Sequence, residues 1–175
     1  MKKYLILLVP LLFFMAQCHK TPTPEPNPTP DLPPATQEGK GTIGCYINGK
    51  PWVPKPYISI GGPKFIEVVY RESDNGFFAL NSYIDGSLNQ SLYLRTYETK
   101  IGDNKLVKRS PQDYKDYSFQ GNCLSFIIDT TISRNLVITK LDKVNGIISG
   151  TFEFTAYNEC GDTLKFTKGR FDTRF

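Results

Sequence analysis

The chain has 175 residues, of which 21 are Lys or Arg, 17 are Asp or Glu and one is His. This length fits one domain with a tether. Ten Tyr and twelve Phe raise the aromatic content to 13%, which favours half-buried β surfaces. The formal charge of the chain, +4, is small, and its Lys and Arg residues are scattered along the sequence. Both features argue against nucleic-acid binding.

The first 17 residues have the pattern of a cleaved secretory signal. Lys2 and Lys3 form a positively charged n-region, and an apolar h-region follows over residues 4–15. The h-region is too short to span a bilayer, because a transmembrane helix needs about 20 apolar residues. We therefore expect residues 1–17 to be removed, which leaves a formal charge of +2.

Cys18 is the predicted membrane anchor. Residues 15–18, Met-Ala-Gln-Cys, resemble the lipobox of bacterial lipoproteins, in which cleavage before the cysteine accompanies its modification by diacylglycerol. Gln17 stands where Gly, Ala or Ser is usual, and an ordinary secretory signal is the alternative. The lipid anchor predicts a protein of the cell envelope, at the outer membrane. The periplasmic face is slightly favoured over the surface, because no acidic run follows Cys18.

Residues 18–40 are predicted to be a lipidated linker. Proline recurs almost every second residue over 21–34, and each proline fixes φ and removes a backbone donor. An extended polyproline II stalk of this length would hold the domain up to about 40 Å from the anchor. A motif for a proline-binding partner is the alternative.

Residues 41–175 are predicted to form an all-β domain, an antiparallel sandwich or partly open barrel of about nine strands. Short β-rich runs separated by Gly, Asn, Asp and Pro recur, without helical periodicity. The predicted strands cover residues 42–47, 51–53, 65–70, 77–84, 91–97, 124–131, 135–141, 147–157 and 163–173.

The last three predicted strands form a C-terminal meander. In residues 147–157 the even positions from Ile148 to Ala156 predict a core face, and the odd positions from Ser149 to Thr155 predict a wetter face. Phe171 has the wrong parity relative to Phe166, and a β-bulge at Lys168 and Gly169 would return it to the core.

Four segments carry a resemblance to a known family. They are residues 44–54 (GCYINGKPWVP), 138–142 (ITKLD), 148–154 (ISGTFEF), and 160–163 (CGDT) through 169–172 (GRFD). Together they resemble a family of Gram-negative lipoproteins classed as domains of unknown function. The resemblance implies the all-β fold and the lipoprotein address, and it implies no reaction.

Three cysteines remain once Cys18 carries lipid, and an exported protein resides in an oxidising compartment. Placing the first and last strands side by side would favour a Cys45–Cys160 disulfide, with Cys123 left as a buried free thiol. A pairing of Cys123 and three reduced thiols are the alternatives.

Two places attract attention as candidate binding residues. The lone Trp52 follows a predicted Asn48-Gly49 hairpin turn, and we interpret it as a core residue, with a ligand platform as the alternative. Tyr93, Arg95 and Tyr97 share one side of a strand whose other side is Leu92 and Leu94. They are a possible ligand face, and cross-strand packing of exposed tyrosines is the alternative.

No catalytic site is recognisable. The single histidine, His19, lies beside the predicted anchor, so the domain can build neither a histidine-dependent nucleophile nor a histidine-containing zinc site. We therefore expect no enzyme activity, no cofactor and no metal. The predicted function is that of an envelope lipoprotein whose β domain binds or scaffolds a glycan or an envelope protein. A carbohydrate-binding or carbohydrate-processing lipoprotein that uses an aromatic sheet face is the alternative.

Overall fold

The computed structural model describes residues 31–54, 65–84, 89–109 and 112–175. The predicted signal peptide, Cys18 and the linker up to residue 30 lie outside the described residues. No helix in those four ranges is long and apolar enough to cross a membrane. The strands of the described residues are β1 (Thr42–Ile47), β2 (Lys50–Trp52), β3 (Ile66–Arg71), β4 (Phe77–Ile84), β5 (Gln90–Thr96), β6 (Gly102–Lys105), β7 (Tyr114–Asp116), β8 (Ser125–Ile128), β9 (Asn135–Asp142), β10 (Ile147–Tyr157) and β11 (Thr163–Arg174).

The predicted all-β fold class is confirmed. All nine predicted strands are present, and β1, β4 and β10 have the predicted bounds. The short polar strands β6 and β7 were not predicted, and a 3-10 helix, Gly121–Leu124, occupies the start of the predicted strand 124–131. The local sequence of β6, Gly-Asp-Asn-Lys, disfavours a strand, and its conformation follows from pairing with β9.

Nine strands form one hydrogen-bonded path in the order β2-β1-β11-β10-β8-β7-β5-β4-β3, and all pairs are antiparallel. Besides β11, β10 pairs with two further strands. Residues 147–153 pair with β9, and Ala156 and Tyr157 pair with β8. The sheet curls into a partly open barrel, and β9, β10 and β11 form the predicted C-terminal meander.

The core lies between two halves of the curled sheet. One half consists of β1, β2, β6, β9, β10 and β11, and the other of β3, β4, β5, β7 and β8. Phe78 of β4 stacks on Phe171 of β11 with 5.6 Å between ring centroids, and Tyr114 of β7 meets Phe166 of β11 edge-on at 5.2 Å. One continuous cluster of buried residues joins the halves. Trp52 belongs to it and is 4% exposed, so the interpretation of Trp52 as a core residue is confirmed.

The predicted bulge in β11 is confirmed. Phe152 pairs with Gly169 and Phe154 with Phe166, so β11 has one more residue than β10 between these two pairs. Lys168 adopts a left-handed φ of 50°, and its amide donates to the Glu153 carboxylate at 3.1 Å. Phe166 and Phe171 are consequently both buried.

The alternation predicted for β10 holds except at Ser149, which was expected on the wetter face and is buried. The reason is a polar contact, since the Ser149 hydroxyl donates to the Asp172 carboxylate at 2.8 Å. Asp172 also accepts hydrogen bonds from Thr36 Oγ1 and from the amides of residues 38, 39 and 40 at 2.6–3.2 Å. Part of the predicted linker, residues 32–40, is therefore held against the domain.

The predicted Cys45–Cys160 disulfide is wrong. Cys160 is bonded to Cys123, with 5.4 Å between their Cα atoms, and Cys45 is a buried free thiol. The first and last strands do pair, as the prediction assumed. Cys45, however, lies within β1 and faces the core, whereas Cys160 lies in the exposed turn before β11. Burial raises the pKa of the Cys45 thiol far above its ordinary value.

Candidate ligand-binding cleft

The outer face of β3, β4 and β5 carries the predicted ligand residues. Leu92, Leu94 and Thr96 of β5 are buried, so Tyr93 and Arg95 point to the other side, followed by Tyr97 just beyond the strand. Asn81 of β4 lies opposite Tyr93, and Ala79 lies opposite Arg95. The residues that line a groove of about 440 Å³ on this face are Glu67, Val69, Arg71, Asp74, Phe77, Ala79, Asn81, Tyr93, Arg95, Tyr97 and Arg109.

Aromatic rings and guanidinium groups are in contact within this groove. Phe77 and Tyr97 lie with 5.4 Å between ring centroids. The Arg109 guanidinium carbon lies 4.2 Å from the centre of the Tyr93 ring, and that of Arg71 lies 5.6 Å from the Phe77 ring. These contacts hold the rings in place. Tyr97 nevertheless remains 43% exposed and offers an open aromatic surface.

Arg95 is held by the backbone. Its Nε donates to the carbonyl of Val107 at 3.4 Å, and its Nη2 donates to the carbonyl of Lys108. Neither contact neutralises the charge, and Arg95 makes no ion pair with any carboxylate of the described residues. Arg95 thus presents a positive charge in a defined position.

A second depression, of about 670 Å³, adjoins the end of β5. Its walls come from the turn after β5, from β6 and from the chain before β9. Arg134 stands in this wall, where its Nε donates to the carbonyl of Leu106 at 2.8 Å and its Nη1 donates to the carbonyl of Thr130. The residues that line the depression are Thr96, Tyr97, Glu98, Lys100, Asp103, Asn104, Lys105, Val107, Ile132, Ser133, Arg134 and Asn135.

The arrangement is suited to holding a ligand. Its groups are aromatic rings, amides and guanidinium donors, which stack and hydrogen-bond. No group of three or more His, Cys, Asp or Glu side chains placed to hold a metal ion occurs among the residues that the structure describes.

The chain matches the family described as Domain of unknown function (DUF6252) over residues 67–173. It belongs to that family. No curated protein and no solved structure gives a significant match to the chain. Both depressions lie entirely within the DUF6252 region, whereas β1 and β2 lie outside it.

The sequence predicted only some of the residues that line the two depressions of this DUF6252 domain. It named Tyr93, Arg95 and Tyr97, which all line the first groove. It missed Phe77 and Arg71, although strand alternation places both on the same sheet face. It also missed Arg109 and Arg134, which lie outside the strands in segments without a periodic signal.

Trp52, the other candidate binding residue, is engaged in the interior. Its Nε1 donates to Gln90 Oε1 at 2.9 Å, and Gln90 Nε2 donates to Asp116 Oδ2 at 2.7 Å. The Tyr114 hydroxyl donates to the same carboxylate oxygen at 3.2 Å. Burial and the neighbouring Asp116 carboxylate raise the pKa of Tyr114 well above its ordinary value. This network satisfies the polar atoms of a packed core.

Proposed function

We propose that this protein is a non-enzymatic binding protein of the cell envelope, anchored through lipid on Cys18, which binds its ligand in the groove on the outer face of β3, β4 and β5. The signal-like residues 1–17 and the lipobox-like residues 15–18 support the address. The outer membrane, with the domain on its periplasmic side, is the location that we favour. The proline-rich linker would separate the domain from the lipid headgroups.

The observation that carries the binding role is the composition of the groove. Tyr97 is 43% exposed and lies against the ring of Phe77, in the groove that Arg95 also lines. The packing of the core does not require an exposed ring beside guanidinium groups, of which Arg95 and Arg109 form no ion pair within the described residues. Binding sites commonly combine aromatic surface with a few fixed polar groups.

The binding role is tested with the full-length protein in mild detergent on a glycan array and against envelope peptidoglycan fragments. Tyr97→Ala should weaken binding of any retained ligand about tenfold, because stacking against the ring is lost. Tyr117→Ala is the matched control, since Tyr117 is 51% exposed and lies outside both depressions. Equal losses in the two variants would contradict a site in the groove.

The anchor is tested separately by Cys18→Ala. We expect the variant to lose acylation and to leave the membrane fraction. Persistence of the variant in that fraction after a carbonate wash would contradict the lipid anchor, without bearing on the groove.

Carbohydrate is the second, more specific candidate ligand. The exposed ring of Tyr97, in a groove that Arg95 and Asn81 also line, supports it, because sugars present both apolar ring faces and hydroxyl groups. The interior position of Trp52 removes that residue from any such site.

A further inference from the structure

The two depressions share one lining residue. Tyr97 lines both, whereas Arg95 lines only the first and Thr96 only the second, so both depressions lie at the end of β5. The segment that follows β6 is hydrogen-bonded to this end of β5. The Val107 amide donates to the carbonyl of Arg95 at 2.9 Å, and the Thr96 hydroxyl donates to the carbonyl of Lys105 at 2.8 Å. We call the two depressions together the Tyr97 cleft.

Positive charge is distributed along the whole Tyr97 cleft. Its cationic residues are Arg71, Arg95, Arg109, Lys100, Lys105 and Arg134, and its acidic residues are Glu67, Asp74, Glu98 and Asp103. Asp74 pairs with Arg71 at 3.6 Å, which leaves five cationic and three acidic residues outside this pair.

Three guanidinium groups along the cleft lack a carboxylate partner. Arg95 and Arg134 donate to backbone carbonyls, and Arg109 lies over the Tyr93 ring. None of the three forms an ion pair within the described residues. The carboxyl that acts on Arg95 and Arg109 is that of Asp113, which is buried and accepts hydrogen bonds from two backbone amides. No carboxylate of the described residues forms an ion pair with these three guanidinium groups, so their remaining N–H donors can meet an anionic ligand.

We propose that the Tyr97 cleft binds a linear acidic oligosaccharide, with sugar rings against Tyr97 and carboxylates paired with Arg109 in one depression and Arg134 in the other. This inference rests on the proposed function and names its ligand class. Planar guanidinium groups bind carboxylates with two parallel hydrogen bonds. Each depression has the volume of a small-ligand pocket, and a ligand of several linked sugar rings would reach from one to the other past Tyr97, which lines both.

A peptide fits the cleft less well. Extended peptides commonly bind by adding a strand to an open sheet edge, where backbone donors and acceptors are free. The first depression lies on the face of β3, β4 and β5. β4 is flanked on both sides by hydrogen-bonded strands, so side chains rather than backbone groups meet the ligand there.

The test is calorimetry on the full-length protein in mild detergent. The probes are hexamers of galacturonate and mannuronate, the methyl esters of both hexamers, a chondroitin hexasaccharide and the monomeric unit of each. Oligothymidylate is added as a polyanion without sugar carboxylates. We expect at least one acidic hexamer to bind, and to bind at least tenfold more tightly than its monomer. For a uronate hexamer, esterification should lower affinity at least tenfold, because it removes the charge while keeping the rings.

Variants locate the binding. Arg109→Gln and Arg134→Gln should each weaken binding of the acidic hexamer about tenfold, the cost of one charge-assisted hydrogen bond. Lys165→Gln is the matched control, because Lys165 is exposed on β11 outside both depressions. A loss of affinity for the acidic hexamer in only one of the two arginine variants would contradict a ligand that spans the Tyr97 cleft.

Other outcomes separate the two proposals. Binding of the methyl ester as tightly as the acid, still weakened by Tyr97→Ala, would overturn the acidic ligand and leave the groove as the binding site. Tight binding that is insensitive to Tyr97→Ala and to both arginine variants would overturn both. Failure of every acidic hexamer, or equal affinity for oligothymidylate, would overturn the acidic oligosaccharide.

Discussion

At the scale of single residues, Trp52 connects the N-terminal hairpin to the core. Its ring meets Tyr114 edge-on at 6.5 Å, and its indole N–H is bound to Gln90. We expect Trp52→Ala to lower the free energy of unfolding by about 3 to 5 kcal/mol, as truncations of buried aromatic residues do. Urea denaturation measures this, with Trp52→Phe as the milder variant. A red-shifted, quencher-accessible emission from the folded protein would contradict this environment.

Gly169 is required by a close approach rather than by a turn. A Cβ atom there would lie 2.4 Å from Cε2 of Phe152, whose ring is buried in the core. Gly169→Ala should therefore destabilise the protein by about 1 to 3 kcal/mol through overpacking. Removing the ring should relieve the clash, so Phe152→Leu combined with Gly169→Ala should cost less than the sum of the two single variants. Additive costs in a double-mutant cycle would show that the clash is not the cause.

At the scale of elements, the N-terminal segment of residues 32–40 is fastened to β11 through Asp172. Burial opposes ionisation of this carboxyl. Hydrogen bonds from Thr36, the amides of residues 38 and 39, and Ser149 outweigh burial and lower its pKa below the ordinary value. Leu32 is buried, and Pro33 packs against Gly44 of β1. Residues 32–40 thus enter the fold beside the last strand.

The lowered pKa of Asp172 predicts a pH dependence of stability. Asp172 stabilises the fold fully above its unfolded pKa of about 4, and this contribution is lost as the pH falls through the lower folded pKa. Asp172→Asn should cost about 1 to 3 kcal/mol at neutral pH, and the difference from the parent should shrink in acid. Unfolding at several pH values measures this. A difference that does not change with pH would contradict the role of the charge.

Asp113 changes the free energy of unfolding with pH in the opposite direction, because burial raises its pKa. This contribution is the same in the parent protein and in Asp172→Asn. The difference between parent and Asp172→Asn therefore isolates Asp172. Asp103→Asn, at an exposed position in β6, serves as the surface control.

The disulfide links the 3-10 helix before β8 to the turn before β11. Cys123 and Cys160 are 37 residues apart, and closing such a loop stabilises the fold by about 4 kcal/mol in the chain-entropy model. Changing both cysteines to serine should lower the free energy of unfolding by up to this amount. Peptide mapping without reductant should recover Cys123 joined to Cys160. Cys45 should resist alkylation until the protein unfolds, and a crosslinked peptide containing Cys45 would refute the assignment.

At the scale of the whole molecule, the two halves of the sheet share one core. Direct hydrogen bonding between β8 and β10 involves only the pairs of Ala156 and Tyr157, so the ring contacts between β4, β7 and β11 carry much of the association. We expect a single cooperative unfolding transition, since neither half buries its apolar face alone. Trp52 fluorescence and far-ultraviolet circular dichroism should report the same midpoint. Separate midpoints would mean that the halves fold independently.

Several features were predictable because their physical causes are local. Asn48 and Gly49 both adopt left-handed φ values, 49° and 79°, as the hairpin turn between β1 and β2 requires. Alternation of Leu92 and Leu94 with Tyr93 and Arg95 predicted which side of β5 is buried. The parity of Phe166 and Phe171 was enough to predict the bulge between them.

Other features depend on the partners of a segment, which lie far away in the chain. The polar strand β6 forms because its backbone pairs with β9, and Ser149 is buried because it is hydrogen-bonded to Asp172. The partner of Cys160 was missed because side-chain direction and the position of the 3-10 helix decide which thiols meet.

The sequence by itself determined the all-β class, most strand positions and the outward direction of Tyr93 and Arg95, because hydrophobic alternation and turn chemistry act over a few residues. Only the tertiary structure decided that Arg109 and Arg134 join them along one cleft through Tyr97. The physical reason is that these arginines lie outside the strands, and hydrogen bonds or ring contacts with segments distant in sequence hold them in place.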